Sequence, residues 1–74
     1  MEVEVRLFAT FRNGRWVSKK LNFDEAVDIR YILDELQIKE EELGIALING
    51  KYSEVDSILK ERDVLALFPP IGGG

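Results

Sequence analysis

Along residues 2–9, Val3, Val5, Leu7 and Ala9 alternate with Glu2, Glu4, Arg6 and Phe8. A period of two predicts a half-buried strand, with the first set facing a core. Asn13-Gly14 follows, a dipeptide suited to a tight turn. Arg15 to Phe23 then reads as a second strand, with Trp16 and Val17 at its start and Leu21 and Phe23 near its end. The two strands form an opening hairpin, whose register depends on the length of the connecting loop.

The period then changes. Ile29, Ile32, Leu33 and Leu36 stand at i, i+3, i+4 and i+7, one apolar stripe of a helix. Asp28 precedes them as the N-cap, able to accept from free N–H groups of the first turn, and Val27 and Ile32 are spaced as a hydrophobic staple. The helix is expected to end near Gln37, before Glu40-Glu41-Glu42 and Gly44. Ile45 to Ile48 reads as a third strand, closed by an Asn49-Gly50 turn. Between Tyr52 and Leu59 the pattern fits a short strand near Tyr52 and one turn of helix around Asp56. Val64 to Phe68 is continuously apolar, as expected of a central strand. Pro69-Pro70 ends it, because proline donates no ladder hydrogen bond.

The order strand, strand, helix, strand, strand predicts an α+β fold: a mixed sheet of four to five strands with one main helix packed on one face. With the first and last strands at the centre this is a β-grasp, the ubiquitin-like layout. The expected organisation is one domain over 1–70 and a flexible glycine tail over 71–74.

Composition narrows the chemistry. Among 74 residues there is no cysteine and no histidine. Disulfides, thiolate nucleophiles and imidazole metal sites are therefore excluded, and so is the usual general base near neutral pH. The net charge is −4, with only Lys19-Lys20 adjacent among the basic residues. The basic patch of a nucleic-acid binder is absent. No apolar run reaches membrane-spanning length and no signal peptide leads the chain, so the expected location is cytoplasmic. The expectation is a domain that binds no metal and no cofactor of its own. Glu40-Glu41-Glu42, Asp24-Glu25 and Asp34-Glu35 read as solvated charges, and Trp16, Tyr31 and Tyr52 as packing residues.

The C-terminus carries the most information. A strand ends at Phe68, two prolines stiffen the exit, and Ile71-Gly72-Gly73-Gly74 ends in a carboxylate. Glycine has no Cβ and can thread a narrow channel; four extended residues reach roughly 13 Å. Such a tail can deliver its terminal group into another protein's active site, although composition alone fits an idle end equally well. Alternation in the flanking strands turns Phe8, Val64, Ala66 and Phe68 away from the core. Together they form an exposed apolar patch beside the tail, which marks an interface unless a loop or Trp16 covers it. Arg6 and Arg12 either add rim charges or, as exposed arginines more often do, contribute little.

These residues resemble a known family. Leu67-Phe68-Pro69-Pro70-Ile71-Gly72-Gly73-Gly74 is similar to the C-terminal motif of the MoaD/ThiS sulfur carriers. In that motif an apolar strand leads to Pro-Pro, an aliphatic residue, a small residue and Gly-Gly. The likeness extends to Val5-Arg6-Leu7-Phe8-Ala9 with Arg12, to Asp28-Ile29 and Ile32-Leu33, to Ala46-Leu47-Ile48-Asn49-Gly50, and to Asp63. Glu61-Arg62-Asp63 departs from the family's Asp-Gly-Asp, and Arg62 makes that turn less permissive. The Pro-Pro pair resembles the molybdopterin branch, whose carriers are the small subunit of molybdopterin synthase.

The resemblance implies a cycle carried by partners. An E1-like adenylating enzyme, using ATP and Mg2+, activates the Gly74 carboxylate, and a sulfur donor displaces AMP to leave a thiocarboxylate. The tail then enters the molybdopterin synthase large subunit and gives up its sulfur. The implied attachment residues are Gly74 and Gly73. The implied partner contacts are Phe8, Val64, Ala66, Phe68, Pro69, Pro70, Ile71 and Gly72. Other readings remain open: a carrier for thiamine or another thiolated metabolite, a ubiquitin-like protein modifier, or an interaction module whose tail is idle.

Overall fold

The structure is a computed structural model and describes residues 1–70. Five strands form one sheet: β1 (Glu2–Leu7), β2 (Ser18–Asn22), β3 (Ile45–Ile48), β4 (Lys51–Tyr52) and β5 (Val64–Phe68). Their spatial order is β2-β1-β5-β3-β4. β5 therefore lies at the centre, parallel to β1 and antiparallel to β3. One helix, α1 (Ile29–Glu35), supplies the apolar residues that cover one face. The mixed sheet and single helix are the expected β-grasp.

The core follows from the two periodicities. Val3, Val5 and Leu7 of β1, Leu65 and Leu67 of β5, and Ile29, Ile32 and Leu33 of α1 are buried to within 1% of complete. Each such side chain contributes about 1.5–3 kcal/mol relative to exposure. The Asp28 carboxylate accepts from Tyr31 N at 2.8 Å, the expected N-cap. The helix ends in a Schellman turn: Gln37 N donates to Asp34 O at 3.0 Å and Ile38 N to Leu33 O at 2.9 Å. Gln37 has a φ of 60°, so a non-glycine residue takes the left-handed position. Burial of Ile38, 5% exposed, accompanies it.

Three expectations are corrected in the first hairpin. Ala9 is not a core residue of the strand; it is exposed, with a φ of 53°, in a 3-10 helix over Ala9–Arg12. That turn buries Phe11 to 5% exposure. Burying an aromatic ring contributes about 1.5–3 kcal/mol, against about 1–2 kcal/mol for a left-handed alanine. The second strand spans only Ser18–Asn22, so Trp16 and Val17 precede it. Asn13-Gly14 closes the 3-10 turn instead of joining the strands directly. Trp16 packs against the core, whereas Val17 is 55% exposed.

The second half follows the sequence more closely. β3 and β5 have the expected bounds. Asn49 and Gly50 have φ of 52° and 84°, as a two-residue primed hairpin turn requires. Around Asp56 the chain makes a turn, with Ser57 N donating to Glu54 O at 2.9 Å, but no helix. Leu59, 1% exposed, anchors this segment in the core.

Candidate functional site

The outer face of the sheet is built by register. Opposite the buried Leu65 and Leu67, β5 turns Val64, Ala66 and Phe68 outward, all half-buried. Ile45 pairs with Phe68, and Leu47 pairs with both Ala66 and Tyr52. These pairings carry apolar side chains across three strands. On the other side of β5, Glu4 pairs with Val64 and Arg6 with Ala66, and Glu4 with Arg6 forms an ion pair at 2.6 Å. The face is thus apolar towards β3 and β4 and charged towards β1 and β2.

The apolar half lies at the chain's exit. Phe8 stacks on Phe68 with centroids 4.2 Å apart and planes 11° from parallel. The Arg12 guanidinium stands 5.2 Å from the Phe8 centroid, and its Nε donates to Leu7 O at 2.7 Å. Arg12 is therefore part of what orients Phe8, more than a rim charge. An apolar groove beside the stack is lined by Ala9, Ile45, Leu47, Tyr52, Phe68, Pro69 and Pro70.

Of the residues expected on the patch, Phe8, Ala66, Phe68, Pro69 and Pro70 gather at this end. Val64 shares the face but stands at the other end of β5, opposite Glu4. Ile71, Gly72, Gly73 and Gly74 lie outside the described residues. Trp16 is not among the groove's lining residues, whereas Ala9 of the β1–β2 connection is. Sequence reasoning missed Ile45, Leu47 and Tyr52. Tyr52, expected as a packing residue, is 81% exposed, and Tyr31 is 49% exposed, edge-on to Phe23. The alternation of Ile45 and Leu47 with Ala46 was the available signal.

Among the described residues, no group of three or more His, Cys, Asp or Glu is placed to hold a metal ion. Arg30 beside Glu40 holds its proton more firmly than a free guanidinium, through hydrogen bonding and charge attraction. Among the described residues, no helix is long and apolar enough to cross a membrane.

Fold and site together define a ubiquitin-like β-grasp protein whose central strand leads onto an apolar groove. The sequence pattern of the ThiS family matches residues 5–74, and the chain belongs to that family. It is similar to a protein of Pyrococcus furiosus assigned as molybdopterin converting factor, subunit 1, at 27% identity and TM-score 0.76, covering 96% of this chain and 99% of that one. It is also similar, at 26% identity and TM-score 0.66, to a chain in a Helicobacter pylori complex of subunits 1 and 2 of molybdopterin-converting factor, with both chains covered completely. SAMP1 of Haloferax volcanii, at 22% identity and TM-score 0.74 with both chains covered completely, shares the fold. No curated protein matches the sequence.

Proposed function

We propose that this chain is a sulfur carrier for molybdopterin-type cofactor synthesis, with Gly74 as the attachment point. The observation that carries the reading is the exit of β5. The central strand ends at Phe68-Pro69-Pro70, on an apolar groove, with four further residues ending in glycine. Family membership and the likeness to molybdopterin-converting subunits support it.

The chemistry follows from the terminal carboxylate. Its charge is delocalised, which makes it a poor electrophile. Attack by a carboxylate oxygen on the α-phosphorus of Mg2+-bound ATP forms an acyl-adenylate and releases pyrophosphate. A hydrosulfide-level donor then adds to the acyl carbon, AMP leaves, and a thiocarboxylate remains. Transfer of that sulfur to a precursor, with water restoring the carboxylate, closes the cycle. The chain supplies the terminal group and a docking surface; the E1-like adenylating enzyme and the synthase large subunit supply the catalytic groups. Phe8, Ala66, Phe68, Pro69 and Pro70, joined by Ile45, Leu47 and Tyr52, form the surface for the large subunit. Ile71, Gly72 and Gly73 form the threading segment.

Incubation with ATP, Mg2+, an activating enzyme and a sulfide donor, followed by intact mass, tests this. The expected result is exchange of one oxygen for sulfur, mapped to Gly74. An unchanged mass, with the enzyme competent on another carrier, refutes the carrier reading. Isopeptide-linked products in extracts would instead identify a protein modifier.

A further inference from the structure

We infer that Gly44 is a positioning residue for the C-terminal tail, through the space it leaves empty. The functional part of this inference rests on the carrier reading above.

Positive φ among the described glycines is confined to Gly14 and Gly50, so backbone angle does not demand a glycine at 44. The exit of the chain does. A Cβ at Gly44 would stand 2.6 Å from the carbonyl carbon and the oxygen of Pro69, and 2.6 Å from Cα of Pro70. Carbon atoms in contact normally stay about 3.5–4.0 Å apart. The three obstructing atoms all belong to backbone, so no side chain can rotate aside. Both prolines have φ held near −65° by their rings, which limits how the step can yield.

The same residue also bonds to the strand end. Gly44 N donates to Phe68 O at 2.8 Å, one step beyond the Ile45–Phe68 pair. The Pro69-Pro70 step is thus held against the start of β3 by a hydrogen bond and a close backbone contact. The placement of Pro69 and Pro70, from which the tail departs, is set from residue 44. A reacting group misplaced by about 1 Å can lose two orders of magnitude in rate. A side chain at 44 displaces the Pro69-Pro70 step from which the tail departs, and leaves Phe8, Ala66 and Tyr52 of the docking face in place.

Two measurements test this. In the free chain, a cross-peak between Gly44 Hα and Pro70 Hα is expected in nuclear Overhauser spectra; its absence overturns the inference without any variant. In Gly44→Ala, amide shift changes are expected at residues 43–45 and from Phe68 onward, with the core unaltered. Adenylation of this variant should show an unchanged KM and a kcat lower by about ten-fold or more. An unaltered kcat, or a rise in KM alone, refutes positioning. Should the unsubstituted chain resist an enzyme that adenylates another carrier, the carrier reading fails, and the cross-peak and shift pattern decide the contact of Gly44 with Pro69-Pro70 by themselves.

Discussion

Phe8 and Phe68 lie face to face, 4.2 Å between centroids, although sixty positions separate them in sequence. The parallel pairing of β1 with β5 brings them together, and Phe8 N donates to Leu67 O at 3.2 Å. An aromatic pair adds about 0.5–1.5 kcal/mol beyond its burial. The stack thus anchors the end of the central strand at the point where the tail departs.

Phe8→Ala is expected to lower stability by about 1–3 kcal/mol, since Phe8 is only half-buried. Its larger effect should fall on docking to the synthase large subunit, where a central aromatic anchor is worth about 2 kcal/mol or more. Calorimetric titration alongside thermal melting separates the two. A loss of stability with full docking affinity would remove Phe8 from the interface.

Tyr52→Ala gives a cleaner contrast. The side chain is 81% exposed, so unfolding free energy should change by less than about 0.5 kcal/mol. Affinity for the large subunit should fall by about ten-fold or more if the groove is the contact. Unaltered affinity would place the interface elsewhere.

Asp28→Ala removes the acceptor for Tyr31 N and should cost about 1 kcal/mol of stability. Asp28→Asn, which retains an accepting oxygen, should recover most of it. Equal losses for both in chemical denaturation would point to a charge effect instead of a cap.

Arg62 has a φ of 68° in the turn before β5, where its N–H donates to Glu2 O at 2.7 Å. A side chain there costs about 1–2 kcal/mol, and glycine's extra unfolded freedom costs about 0.5–1 kcal/mol. Arg62→Gly is therefore expected to stabilise the domain by roughly 0.5 kcal/mol. A lower melting temperature would show that the Arg62 side chain makes a favourable contribution of its own.

Much of the site was legible because its signals are local. Two-residue alternation set which side of β5 faces out, and Pro69-Pro70 marked where the ladder stops. The departure at Arg62 correctly flagged a turn that favours glycine. Less was legible wherever packing overruled pattern. Ala9 continues the alternation of β1 on paper, yet the chain turns there to bury Phe11. Arg15, unremarkable in sequence, donates from Nη2 to Leu36 O at 3.1 Å and from Nη1 to Phe11 O at 3.2 Å, tying that turn to the end of α1. Asn49 and Asp63 likewise gain their role only by meeting: Asn49 Nδ2 donates to Asp63 Oδ1 at 2.8 Å, and Val64 N donates to Asn49 Oδ1 at 2.9 Å.

Periodicity, capping and proline chemistry depend on neighbours a few positions apart. The sequence by itself therefore determined β3 and β5, the helix start at Asp28, the outward face of β5 and the glycine-ended tail. Contacts between distant segments depend on register, which no short window contains. Only the tertiary structure could set Ile45, Leu47 and Tyr52 beside Phe68, and only it could place Gly44 against Pro69 and Pro70. A glycine in an acidic loop carries no mark of its purpose until another part of the chain packs where its side chain would have been.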